Sequence, residues 1–340
     1  MQDWKAFLEQ NVSRISYRTA YLNYVERLSD TNSPVIFCLD HLSSLVGIKL
    51  KYLVGMIIQP ESFYREFSIP KRNGGQRIIS APYPSLLSCQ QWISTNITSK
   101  IPVHESAHGF VSHRSIVTNA EPHLGCNWLL KIDIKDFFPS INIRRIVWIF
   151  KQCGYARDVS FYLARLCTLD GKLPQGSAAS PALSNITFNK TDRRLAALAN
   201  CWKVKYTRYA DDLTFSGQYI QSKFIDIVYE ILQSEGFTPN KDKTRLIGPK
   251  GRKIVTGVSV SGNMLKLPKE TKRQVRKEAY YLWRMGFENH TNKIGSFDPI
   301  YAERLLGKLA FWKQIEPGNQ YVNQSLARVQ TVRAQLNTLN

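Results

Sequence analysis

Residues 203–217 read KVKYTRYADDLTFSG, two short runs of aromatic and β-branched residues that meet at Tyr209-Ala210-Asp211-Asp212. Runs of this kind favour β-strands, and the junction reads as a tight turn. Taken alone, an Asp-Asp turn is more often a solvated hairpin tip, because hairpin turns favour Asp. Two adjacent aspartates in an apolar setting are different, since they repel one another unless cations intervene. Working outward, residues 129–138, LLKIDIKDFF, place Asp133 behind Leu129, Leu130 and Ile132 on a buried strand that runs into an expected helix start. Phosphoryl transfer from a nucleoside triphosphate is helped by two divalent ions that clamp the attacking and leaving oxygens, and Mg²⁺ needs carboxylates to hold it. Asp133, Asp211 and Asp212 are the candidates.

These segments resemble reverse transcriptases. Tyr209-Ala210-Asp211-Asp212 is similar to their YxDD box, and Asp133-Ile134-Lys135-Asp136-Phe137-Phe138 to their first catalytic strand. Leu173-Pro174-Gln175-Gly176, followed by Ser180-Pro181, is similar to their nucleotide-pocket loop. The boxes keep the family's order and, with their flanks, account for residues 65 to 260. The resemblance implies an α+β right-hand fold: a palm with the three aspartates, β-rich fingers with Lys71, Arg72 and Arg77, and a helical thumb. It implies RNA-directed DNA synthesis from deoxynucleoside triphosphates with two Mg²⁺ ions, Mn²⁺ being a possible substitute, at Asp133, Ile134, Asp211 and Asp212. Phe138 stands where the family stacks a side chain under the incoming sugar and excludes a 2′-hydroxyl; otherwise it is ordinary core. Gln175 and Gly176 take a pocket role, Gly letting backbone approach the nucleotide and Gln bonding a base or template edge. Lys243, in GFTPNKDKTRLIG, matches a family lysine near the triphosphate and is either a general acid for the pyrophosphate or part of a solvated basic loop. Asp136 reads as structural or helix-capping.

Two further segments narrow the resemblance to bacterial retron enzymes: Asn119-Ala120-Glu121-Pro122-His123 is similar to their NAxxH signature and Val255-Thr256-Gly257 to their VTG signature. That implies an enzyme that binds its own structured noncoding RNA and primes from the 2′-hydroxyl of an internal guanosine. Its product is branched multicopy single-stranded DNA, made in antiphage defence beside an effector protein. Intron-type and diversity-generating reverse transcriptases are the enzyme alternatives, and an RNA-binding scaffold or inhibitory subunit of a toxic effector is the non-enzymatic one. Residues 266–285, KLPKETKRQVRKEAYYLWRM, set Lys272, Arg273, Arg276 and Lys277 among Tyr280, Tyr281 and Trp283. Folded RNA is bound by such mixtures of charge and stacking surface. We expect RNA contact from the four basic residues and from Asn119, Val255, Thr256 and Gly257, and thumb-core packing from the aromatics. His123 either touches RNA or organises the loop before Asp133.

Composition agrees. The 340 residues carry 46 Lys and Arg against 26 Asp and Glu, a formal charge of +20, which favours a polyanionic partner through phosphate contacts and counterion release. No apolar run approaches the roughly 20 residues of a membrane-spanning helix, and MQDWKAFLEQ lacks the apolar centre of a signal peptide. The six cysteines are scattered without a CxxC pair, which fits a reducing cytoplasm better than a zinc or disulfide framework, and the resemblance implies a bacterial one. His104, His108 and His113 lie in a loop-like stretch with no local carboxylate pattern of a known metal site, and GPKGRK lacks the spacing of a P-loop. The expected divisions are a helical region over 1–60, fingers and palm over 61–252, and a thumb and RNA-recognition region over 253–340.

Overall fold

A computed structural model describes residues 2–71, 74–286, 298 and 300–337. Four helices open the chain: α1 (Gln2–Asn11), α2 (Ile15–Asp30), α3 (Leu39–Val46) and α4 (Leu50–Ile58). Strands β1 (Tyr64–Pro70) and β2 (Gln76–Pro82) form an antiparallel hairpin with Tyr64 opposite Pro82. Apart from Tyr64 and Ser80 it is largely exposed, as suits a projecting ribbon. Then come α5 (Pro84–Asn96), the short α6 (Ile116–Ala120), β3 (Trp128–Lys135), α7 (Ile143–Gln152), α8 (Arg157–Cys167) and α9 (Ser180–Cys201). The hairpin β4 (Lys205–Tyr209) and β5 (Asp212–Gly217), helix α10 (Ser222–Ser234) and β6 (Thr238–Ile247) follow. A two-residue ribbon, β7 (Ile254–Val255) with β8 (Val258–Ser259), leads to α11 (Lys269–Met285), α12 (Tyr301–Ile315) and α13 (Gln320–Asn337).

The central sheet has the order β4-β5-β3-β6 and is antiparallel throughout. Its inner strand β3 is buried on both faces, which explains the near-continuous apolar run Leu129, Leu130, Ile132, Ile134 where an exposed strand would alternate. Helices α7 to α10 cover the sheet through Phe150, Leu163, Phe188 and Phe224, and Phe188 meets Phe237 at 4.7 Å between ring centres. The same core includes Leu28, Leu42, Leu53 and Met56, so helices α2 to α4 pack into the core of the central sheet. A second core lies among β7, β8 and α11 to α13, around Val255, Leu282, Leu309 and Trp312, and reaches back to Ala120 and Leu129.

Two local expectations need correction. No helix starts at Asp136: the residue has φ +47° in a turn, and Asn142 caps α7 by accepting from the Arg145 amide at 3.2 Å. Tyr280 and Trp283 are 53% and 45% exposed rather than packed in the C-terminal core, because Val275, Ala279 and Leu282 already form the buried stripe of α11. Among the described residues no single helix is long and apolar enough to cross a membrane.

Candidate active site

The register of the central hairpin brings the carboxylates together. β3 and β5 pair with Asp133 opposite Asp212, and the turn from β4 into β5 is only Ala210 and Asp211. The Ile134 amide donates to the Asp211 carbonyl at 3.0 Å, fastening the turn across the end of β3. Ala210 has φ +55°, a left-handed conformation costly for a residue with a Cβ, so its surroundings must hold it there.

They do so through a buried polar network. Arg208 on β4 is fully buried, and its side chain donates to Asp192 Oδ1 at 2.9 Å and Oδ2 at 2.7 Å. The same guanidinium donates to Asn185 Oδ1 and to the Ala210 carbonyl, each at 3.0 Å, and lies 4.5 Å over the Phe188 ring. Tyr206 donates a further bond to Asp192 at 2.7 Å. On the other side the chain at 106–109 lies against β4: the Arg208 amide donates to the Ser106 carbonyl and the His108 amide to the Arg208 carbonyl, both at 2.7 Å. Asn185 Nδ2 holds the Gly109 carbonyl at 2.8 Å. A Cβ on Gly109 would stand 2.6 Å from the Ala210 amide nitrogen, so this approach requires glycine. A buried ion pair is stabilising only when its remaining bonding capacity is used, as it is here.

Sequence reading missed Arg208, Asp192, Asn185 and Gly109. The available signal was an arginine inside the run KYTRYA; its partners Asp192 and Asn185 lie on helix α9, which strand periodicity cannot reveal. His104 and His108 make local bonds, to the Ser106 amide and to Thr118. Burial pushes His108 down to about 4, with Arg114 adding to the shift.

The carboxylates feel one another. Burial and then the Asp212 charge raise Asp211 to about 6. Burial also raises Asp212, against the opposing charge of Lys131. Lys243 reaches this cluster because β6 is irregular: Asn240 pairs with Asp133 and Arg245 with Lys131, so residues 241–244 bulge opposite a single residue of β3. The Lys243 ammonium donates to Asp133 Oδ1 at 2.7 Å and Oδ2 at 3.1 Å, and this bond raises its pKa. The donor set suits a hard divalent cation: three carboxylates at one end of the sheet, Asp211 and Asp212 both raised by burial first and by a neighbouring carboxylate second. Among the described residues no three His, Cys, Asp or Glu side chains are grouped so as to hold a metal ion as they stand, and Lys243 occupies the oxygens of Asp133. The Ile134 side chain is buried in the core, so that residue has only its carbonyl oxygen to offer a cation.

Around this centre, Phe138 is half-buried between Phe137 and Phe110, at 5.5 and 6.2 Å between ring centres. The Gln175 carbonyl accepts from the Ser80 amide at 2.8 Å, tying the 173–176 loop to β2. Gly176 has φ +123°, and a Cβ there would lie 2.7 Å from the Ser80 carbonyl oxygen, so the strand, rather than a nucleotide, dictates this glycine. Lys71 and Arg77 are exposed on the β1–β2 ribbon, and Arg72 lies outside the described residues.

The expected RNA contacts divide. Asn119, His123 and Val255 are fully buried, which removes their side chains from RNA in this conformation. His123 bonds Ser216 at 2.7 Å and Thr207 at 2.8 Å, cross-linking β5 and β4, and burial drives its pKa down to about 3. It therefore organises the loop and the sheet. Asn119 Nδ2 donates to Thr256 Oγ1 at 3.4 Å, so the segments around Asn119 and Thr256 meet in space. Thr256 and Gly257, at φ +46° and +85°, form the two-residue tip of the β7–β8 ribbon, where Gly257 is exposed. Lys272 pairs with Glu316, and Arg276 lies 5.5 Å over Trp312 and 5.0 Å over Tyr321, so both brace the C-terminal helices. Arg273 and Lys277 are exposed without an ion-pair partner among the described residues.

A family model described as reverse transcriptase (RNA-dependent DNA polymerase) matches residues 69–275. The retron Ec86 reverse transcriptase of Escherichia coli is 34% identical over 267 residues, covering 77% of this chain and 83% of that protein. The retron Mx65 reverse transcriptase of Myxococcus xanthus is 38% identical over 288 residues, covering 76% of this chain and 67% of that protein. Among solved structures, a telomerase from Candida albicans with a fragment of telomeric RNA aligns over 79% of this chain and 63% of its own. Its TM-score is 0.42 at 11% identity, too low to carry an argument.

Proposed function

The chain belongs to the retron reverse transcriptases, RNA-directed DNA polymerases of the α+β right-hand fold, and from that membership we propose that it copies part of its own structured noncoding RNA into branched multicopy single-stranded DNA. Synthesis begins at the 2′-hydroxyl of an internal guanosine. The observation that carries the chemistry is the pairing of Asp133 with Asp212 across β3 and β5, with Asp211 on the adjoining turn. Family chemistry depends on divalent metal, and here Asp133, Asp211, Asp212 and the Ile134 carbonyl would hold two Mg²⁺ ions, or Mn²⁺ in their place, to activate the priming hydroxyl and neutralise the pyrophosphate.

The protein's own groups then position and discriminate. Lys243 leaves Asp133 to donate a proton to the departing pyrophosphate. Phe138, backed by Phe110, closes the space a ribose 2′-hydroxyl would need. Lys71, Arg72 and Arg77 on the ribbon neutralise the triphosphate as fingers, and the bond from Ser80 to Gln175 makes ribbon and nucleotide pocket one unit. In the thumb, from about residue 253, Arg273, Lys277 and the Thr256-Gly257 tip contact RNA, while Lys272 and Arg276 shape that surface from behind. The setting is the bacterial cytoplasm, in antiphage defence with an effector protein.

The test is expression of the gene with its flanking noncoding sequence, beside an Asp211→Ala, Asp212→Ala version. Small single-stranded DNA carrying debranching-sensitive RNA, absent from the double variant, is the expected result. Extension only of an annealed 3′ end, with no branched product, would move the chain to an intron-type or diversity-generating role. No synthesis from either version, with the RNA present and bound, would favour the scaffold.

A further inference from the structure

A concave pocket of about 950 Å³, lined by none of the catalytic aspartates, opens between the end of α2, the outer face of α7, α9 and residues 100–102. Its walls include Lys100, Arg144, Trp148, Ile186, Lys190 and Arg193. Helix α7 turns Ile146, Ile149 and Phe150 into the core, which leaves Arg144 and Trp148, four residues apart, side by side on the outer face. Trp148 is 61% exposed, although an indole of this size gains from burial. Arg144 and Arg193 have neither a hydrogen-bond nor an ion-pair partner among the described residues.

Two acids, Asp30 and Glu235, also line the pocket. Glu235 is already engaged, by Lys190 at 3.1 Å and Arg194 at 2.7 Å, which holds its carboxyl low. Arg145 is engaged too, donating to the Glu235 carbonyl. What remains free is two guanidinium groups, one aromatic face and the single exposed carboxylate of Asp30, around an apolar floor whose rim is net positive through Lys100, Arg144, Arg145, Lys190 and Arg193. That combination fits single-stranded nucleic acid: phosphates pair with the guanidinium groups and an unpaired base stacks on the indole. A duplex offers phosphates but no free base, and so uses only half of the site.

We propose that this pocket is a second nucleic-acid site, holding a single-stranded segment of the RNA being copied or of the DNA being made while the catalytic cleft is occupied. The proposal rests on the polymerase reading above. Its test therefore begins with enzyme whose primer–template extension has been verified; failure of that step would count against the polymerase reading and not against the pocket.

Enzyme is loaded with an excess of annealed RNA–DNA primer–template, and binding of fluorescein-labelled 15-nucleotide single strands, one RNA and one DNA, is followed by anisotropy. The loaded enzyme is expected to bind at least one of them, and the tighter strand identifies the source. Arg144→Glu with Arg193→Glu should weaken binding about tenfold and reduce the log–log salt slope by about 1.4, the share of two single-strand phosphate contacts. Trp148→Ala should weaken it about fivefold, the size of one lost stacking contact. Extension of the short primer–template should be unchanged in both variants. The proposal is overturned if loaded enzyme binds neither strand or if the variants bind as the parent does. It is also overturned if double-stranded RNA binds as well as the single strands, or if an acidic peptide displaces them at equal charge, which would make the pocket a protein-docking surface.

Discussion

Around Ala210, charge is buried and spoken for: the Arg208 side chain makes four hydrogen bonds in a site with no access to water. In the C-terminal helices charge sits at the edge of the core, with exposed Lys308 and half-buried Glu278 paired across α12 and α11 beside Leu282, Leu309 and Trp312. Directional bonds in a low dielectric fix one geometry and penalise any loss, whereas apolar packing under a solvated surface tolerates exchange. Polymerase chemistry needs the first kind at its carboxylates, which must be placed to a fraction of an ångström.

The largest expected effect tests whether the rigid region carries the chemistry. Asp133→Asn should slow primer extension by at least about a thousandfold, near 4 kcal/mol of barrier, with the melting transition retained. Residual extension within tenfold of the parent would remove Asp133 from the reaction. Next, Arg208→Met leaves Asp192 charged and buried with only Tyr206 as a partner, and should cost about 3 kcal/mol or more in denaturant unfolding. Adding Asp192→Leu should restore most of that stability. Extension should nonetheless stay slow, because the Ala210 carbonyl has lost its donor; a double variant with parental kcat would show that the network serves folding alone.

A smaller effect concerns pH. In the metal-free protein Asp211 ionises at about 6, against 3.8 for an unperturbed side chain. The folded state therefore holds a proton that the unfolded chain has released, and stability falls as pH rises through this window. Asp211→Asn, which has no charge to bury, should unfold about 2 kcal/mol later than the parent at pH 7 in the presence of a chelator. The two should converge below about pH 4, and an advantage that persisted there would locate it in packing rather than charge. Smallest is the surface pair: Lys308→Ala should change stability by less than about 1 kcal/mol, fading further with salt. A loss of several kcal/mol would erase the contrast between the regions.

Much of the site was legible because its elements are local. The YADD turn between its two β runs and the apolar strand that carries Asp133 each declare themselves within about fifteen residues of sequence. The supports were not legible, since each depends on residues far apart in the chain: Arg208 finds Asp192 and Asn185 on α9, and Gly109 finds the turn backbone. Lys243 arrives at Asp133 only through an irregularity in β6 that no periodicity announces. His123 shows the same limit, because its neighbours in sequence are loop residues and its partners in space are Thr207 and Ser216.

By itself, then, the sequence determined the chemical inventory: three carboxylates at strand ends, a basic chain, and the periodicities that make strands of 205–217 and helices of 269–285. Tertiary structure alone decided register, burial and partnership. Side-chain period and composition are properties of neighbours along the chain. Whether a histidine reads RNA or bolts two strands together, and whether an arginine meets solvent or an aspartate, depends on which distant segments exclude water from it.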